Sequence, residues 1–239
     1  MSRFIVPWIA VAEVSILGSV VLAVCSAFLS KGASADPVVI IQIAAVLSFS
    51  ALSGIGQGWL LRRQLQRPIL WGVSSGTGII VAAAIIAEIA DAPEQLWWPI
   101  VWRLAFWIRK SFDLSVTPWT FTGYVLSGLT FGLILGAAQA STLRFGWRAG
   151  LRWIGISVLS GVLTSILLYS SREIDSVTNA LDWLAASIPM PSGPRGLLFG
   201  TSVLLLLGVS FALPTGAFMQ HLLRSRLQAD VGVVLQRFD

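Results

Sequence analysis

Six apolar runs, each long enough to cross a lipid bilayer, restrict this chain to a bundle of membrane helices. They lie at about 7–29, 38–61, 69–90, 119–143, 151–170 and 196–223. About 20 apolar residues rising 1.5 Å each cover the ~30 Å hydrocarbon core. Lipid offers no partner to a backbone N–H or C=O, so segments of this length must satisfy those groups internally, as helix. Composition points the same way: 56% hydrophobic and 11% charged residues, with a mean hydropathy of +0.82, leave too little polar surface to cover a water-soluble globule. The expectation is an all-α integral membrane protein, one transmembrane domain over 1–239. The first run is too long for the ~7–15-residue core of a secretion signal and reads as a retained helix.

Charge then orients the spans. The segments after the second, fourth and sixth runs carry Arg62, Arg63 and Arg67, then Arg144, Arg148 and Arg152, then Arg224, Arg226 and Arg237, with few acids among them. The other connections mix bases with Asp36, Asp91, Glu94, Asp113, Glu173, Asp175 and Asp182. Under the positive-inside rule both termini are cytoplasmic, as an even number of spans requires. The net charge of +5 is therefore a topology signal rather than a nucleic-acid footprint.

Two outer connections are amphipathic. Over about 172–188, Ile174, Val177, Leu181, Leu184 and Ile188 recur at helical spacing opposite acidic and amide residues. Over about 94–113, Leu96, Ile100, Leu104 and Ile108 form a stripe beside Trp97, Trp98, Trp102 and Trp107. Both segments suit helices lying in the headgroup layer, with the tryptophans as anchors.

One motif occurs twice. Gly54-x-x-Gln57-x-x-x-Leu61-Arg62 ends the second run and Gly136-x-x-Gln139-x-x-x-Leu143-Arg144 ends the fourth, and each is followed by a tryptophan, Trp71 or Trp153, that opens the next run. The sixth run ends with Gly216, Leu223 and Arg224 at the same offsets, with Gln220 displaced by one. Trp8 near Arg3 supplies the matching start. An internal repeat of helix pairs is expected, closed into a ring by the first helix beside the sixth. In this reading Gly54, Gly128, Gly132, Gly136 and Gly216 are helix-packing positions. Trp8, Trp71 and Trp153, with Arg62, Arg144 and Arg224, are interface anchors.

At helical rise Glu13 lies about 9 Å inside the first span, and Gln57 and Gln139 about 7 Å inside theirs. With Gln220 and His221 they define an expected intramembrane polar layer, a candidate ligand or ion site. Glu13 is expected to reach one of the glutamines, since a carboxyl group at that depth has few alternatives. Catalytic constellations are absent: there is no P-loop, no nucleophile elbow and no pair of carboxylates on one spanning helix. One histidine and one cysteine, Cys25, make neither a metal site nor an internal disulfide, and no motif specifies a cofactor.

The Gly-x-x-Gln…Leu-Arg helix end followed by a basic loop and a Trp-led helix resembles a group of uncharacterised bacterial multi-spanning proteins, of a type common in cyanobacteria. There a tryptophan often follows the glutamine, where this chain has Gly58, Ala140 and His221. The resemblance implies a bacterial inner or thylakoid membrane and a repeated architecture. The expected function is that of a non-enzymatic accessory or structural subunit of a membrane complex. Its expected partners are lipids, a hydrophobic cofactor and other membrane subunits, not nucleic acid. The alternative is a small transporter or channel with its polar path around Glu13.

Overall fold

The computed structural model describes residues 2–29, 37–91, 118–143, 146–173 and 208–225, and every regular element among them is helical. α1 (Ser2–Leu29), α2 (Pro37–Leu60), α3 (Pro68–Asp91), α4 (Pro118–Ala140) and α5 (Trp147–Glu173) are each long and apolar enough to cross a membrane. Residues 208–225 form a sixth helix, α6. The expected interfacial helices, including the four tryptophans of 94–113, lie outside the described residues, apart from 172–173, which extend α5. Arg144 and the start of the sixth run lie outside them too.

Helix boundaries follow local chemistry. α2, α3 and α4 each begin at a proline, whose fixed φ suits the first helical position and whose missing N–H is one the helix would leave unpaired anyway. α3 is capped by Arg67, whose carbonyl accepts from Trp71 N at 3.1 Å. α5 is preceded by Gly146, which holds φ +85° and accepts from Gly150 N at 3.1 Å. That left-handed conformation favours glycine. The arginine-bearing ends of α2 and α4 tighten alike, with Arg62 N donating to Trp59 O at 3.3 Å and Thr142 N to Gln139 O at 3.0 Å. Such i→i−3 bonds use carbonyls that the helix end would otherwise leave open.

The helices run alternately up and down and close into a ring. Small residues let the neighbours touch. A Cβ placed on Gly54 would lie 2.5 Å from the carbonyl oxygen of Gly72, and one on Gly72 would lie 2.6 Å from that of Gly54, so α2 and α3 meet backbone to backbone. Gly128, Gly132 and Gly136 hold α4 against Gly161, Ser157 and Ile154 of α5, and Gly216 of α6 lies against the indole of Trp8 in α1. Lipid tails are as apolar as leucine, so this close van der Waals fit and polar bonding, rather than apolar burial, hold such helices together.

The exterior is the inverse of a soluble protein's. Val14, Ile43, Ile55, Val73, Leu133 and Leu159 are exposed, while Ser15, Ser50, Ser75, Thr122, Ser157 and Ser160 are buried. Several hydroxyls bond back to the carbonyl one turn earlier: Ser15 to Val11, Ser50 to Val46 and Ser160 to Ile156, all at 2.7 Å. These bonds meet the requirement that a polar group surrounded by hydrocarbon be internally satisfied.

Gly54→Val should weaken the bundle by about 1–3 kcal/mol, the usual cost of forcing atoms into a filled contact. Gly155→Ala, where an added Cβ meets nothing within 4 Å, should leave stability unchanged or raise it by up to about 1 kcal/mol. Unfolding titrations in mixed micelles measure both, and equal losses would sink the close-contact account.

Candidate functional site

Near the arginine-bearing end the ring is plugged by side chains from all six helices. Gln57 sits one turn before the end of α2, and Trp71 lies in the first turn of α3, so the short connection returns the indole to the level of the amide. Trp71 Nε1 donates to Gln57 Oε1 at 3.2 Å. The same offset of fourteen residues brings Trp153 Nε1 of α5 to Gln139 Oε1 of α4 at 3.0 Å.

The two amides then join. Gln139 Nε2 donates to Gln57 Oε1 at 3.1 Å and to Ser75 Oγ at 2.9 Å. The Ser75 hydroxyl is within reach of two acceptors, Trp71 O at 2.9 Å and Gln57 Oε1 at 3.1 Å. Gln57 Nε2 donates to Ser53 Oγ at 3.2 Å. α2, α3, α4 and α5 are thereby tied by one chain of hydrogen bonds. Removing a member leaves its partners unpaired in a low-dielectric interior.

The seam between α6 and α1 is built differently. Met219, fully buried, occupies the glutamine's position three residues after Gly216, and Trp8 Nε1 donates instead to Thr215 Oγ1 at 3.3 Å. Gln220 is half-buried and His221 is exposed, beside Phe218. Gln57 and Gln139 are therefore brought together in the layer, whereas Gln220 and His221 stand outside the plug. A one-residue displacement rotates a helical side chain by about 100°, and methionine takes the inward direction.

The tryptophans correct a second expectation. Trp71 and Trp153 are 0% exposed and Trp8 is 4% exposed, so none of them is an interface anchor. Each is core, packed with Leu61, Leu143 and Met219; Trp71 and Trp153 meet edge to face with ring centroids 5.4 Å apart. The indole has an apolar body and a polar N–H, and here the N–H finds its acceptor inside the bundle instead of at the headgroups. Arg62 does stand at the exposed boundary, its guanidinium 4.0 Å from the ring centroid of the exposed Trp59, and Arg224 is exposed as well.

Glu13 does not join the amides. Its carboxylate oxygens are buried and have no hydrogen-bond partner among the described residues. The group lies in the α1–α6 seam against Gly208, where an added Cβ would stand 2.7 Å from Glu13 Oε1. It occupies a different face of α1 from Trp8 and Ala12, which turn toward the bundle axis.

Beyond the plug lies a cavity of about 940 Å³ lined by residues of all six helices. Its floor is formed by Trp8, Gln57, Gln139, Trp153 and Thr215, and its walls run out to Ala23, Ile41, Ile86 and Ser127. Fifteen residues separate Trp8 from Ala23, a depth of about 22 Å at helical rise. Among the described residues that line it, none is charged. Phe49, Phe131 and Phe211 ring it from α2, α4 and α6. Sequence reasoning missed these three, yet each stands five residues before Gly54, Gly136 or Gly216, an offset that aligning the three helix ends reveals.

Replacing Gln139 by Met, the residue three positions after Gly216 in α6, should cost about 1–3 kcal/mol, because Trp153 Nε1 loses its acceptor and Gln57 and Ser75 lose a donor. Glu13→Gln should leave the folded fraction unchanged or raise it, since a buried unpartnered carboxylate is costly. Thermal unfolding in detergent checks both, and the opposite ranking would overturn the division between a structural layer and an isolated carboxylate. Comparison of the chain with protein-family models, with curated proteins and with solved structures gives no match.

Proposed function

We propose that the protein is a non-enzymatic multi-pass membrane component that holds an apolar ligand in its central cavity and serves as an accessory subunit in a bacterial membrane. The cavity carries this reading. About 940 Å³ is at the upper end of the ~300–1,000 Å³ typical of small-molecule sites. Water is a poor filler because such a cavity offers it few polar partners.

The architecture belongs to the same proposal: three copies of a helix pair, α2–α3, α4–α5 and α6–α1, arranged around the cavity. Corresponding positions support it. Val46, Gly128 and Gly208 share one offset from the glycine of their helix end, the three phenylalanines another, and Ile16, Ile79 and Gly161 share an offset from their tryptophans; all of these line the cavity. On this reading both termini and the tryptophan plug are cytoplasmic, and the cavity opens toward the other face or the lipid. A plug of buried indoles and leucines argues against a through-pore, and Glu13, outside the cavity wall, argues against a transport path centred on it.

Purification in mild detergent, followed by organic extraction and mass spectrometry, should recover a lipid or pigment in stoichiometric amount from the wild type. Ala83→Phe, which puts a ring into the cavity wall, should fold and lose it. Equal recovery from both would reject the cavity as the site. Reporter fusions at Arg67, Arg148 and the C-terminus should all report cytoplasm, and one outward-facing signal would reject the orientation.

A further inference from the structure

The floor of the cavity is not uniformly satisfied. Ser53 is 4% exposed, lines the cavity and accepts from Gln57 Nε2. Ser15, Ser50, Ser75 and Ser160 return their O–H to the carbonyl one turn earlier. The Ser53 hydroxyl makes no such bond, and no other acceptor takes its proton among the described residues. Gln57 Nε2 likewise uses only one of its two N–H groups. The amide oxygen beside it already accepts from two donors, Trp71 Nε1 and Gln139 Nε2. The floor at α2 therefore presents two open donors at the bottom of a shaft whose described lining is uncharged and mostly apolar.

Resting on the proposed role of the cavity, we infer that Ser53, supported by Gln57, binds the terminal oxygen of an uncharged single-chain lipid whose hydrocarbon body lies along the shaft. Three observations select that class. The floor residues Trp8, Ser53, Gln57, Gln139, Trp153 and Thr215 carry no charge, which excludes phosphate, sulfate, carboxylate and ammonium heads there, since these need a paired counter-charge to be buried. The depth of about 22 Å accepts a chain that fills one leaflet, half of the ~30 Å hydrocarbon core. The open donors call for an acceptor, so the head is a carbonyl or hydroxyl oxygen. Ser127 and Ser165 also place hydroxyls on the wall, but both are half-buried, at the far end. The enclosed donor at the floor has more to gain from a ligand oxygen. The seam between α6 and α1 shows that the feature is local: Thr215, at the position of Ser53, bonds back to Phe211 O at 2.8 Å and is occupied by Trp8.

Tritiated hexadecanol is the probe, titrated onto the purified full-length protein in mild detergent after delipidation. The wild type should bind about one molecule per chain, hexadecane should compete, and hexadecyl sulfate should not. Ser53→Ala should weaken hexadecanol binding about three- to tenfold, one neutral hydrogen bond, and leave hexadecane competition unchanged. Ser53→Thr, the residue already present at the corresponding position of α6, should retain the affinity. Ala45→Phe and Ala83→Phe should abolish binding of both, with circular dichroism and size exclusion confirming that at least one of them is folded. If the phenylalanine variants block binding while Ser53→Ala binds hexadecanol like the wild type, the cavity reading stands and the head-group assignment is wrong. The head-group assignment also fails if hexadecyl sulfate competes as well as hexadecane. If the wild type shows no saturable binding, both fall.

Discussion

The structure depends on one constraint: a polar side chain placed among membrane helices must find its partners inside the protein. Gln57 and Gln139 are the clearest cases. Each amide carries two donors and an acceptor, too many for its own helix, so each is committed to neighbours. Gln57 Oε1 collects a donor from α3, Trp71, and one from α4, Gln139. That convergence sets the helices' rotation about their axes, because turning either neighbour by a single residue would withdraw its donor. Glycine contacts fix how close the helices come; the amides fix which faces meet.

From this the division of the bundle follows. At the arginine-bearing end the ring is filled by large side chains whose polar atoms are paired, with Trp71, Trp153, Leu61 and Met219 fully buried. Farther along, small residues such as Ala45, Ala83, Gly128 and Gly161 line the axis, and their volume does not meet across it. A plug over a shaft is thus a consequence of side-chain size along otherwise similar helices, with no change of backbone path.

Much of this was legible in the sequence, for physical reasons. Lipid imposes a simple rule on length and polarity, so five spans could be read from apolar runs, with α2 at Pro37–Leu60 and α3 at Pro68–Asp91 within a residue of the expected bounds. The spacing of Gly54 and Gln57 placed both on one side of α2, because a helix presents residues three apart on one side, and there Gly54 meets the Gly72 backbone while Gln57 meets Trp71. The tryptophans misled, since an indole suits both a headgroup belt and a buried amide, and only the returning connection after α2 decides between them. Glu13 misled for a related reason: depth is readable from residue count, but which neighbour a face meets is not. Met219 was invisible because a methionine in an apolar run carries no polar signal, although the offset from Gly216 marks its place.

The Trp8–Thr215 bond joins residues 207 positions apart, and this has a bearing on biogenesis. α1 enters the bilayer well before its partner in the seam is made. Throughout synthesis of the intervening helices the indole N–H of Trp8 and the carboxyl of Glu13 lack the α6 surface that covers them in the finished ring. Local pairs such as α2–α3 and α4–α5 need only short loops to meet, whereas the seam carries the full entropic penalty of a long-range closure. An insertion factor that shelters α1 until α6 arrives, or a neighbouring membrane protein that takes its place, would act on this seam before any other.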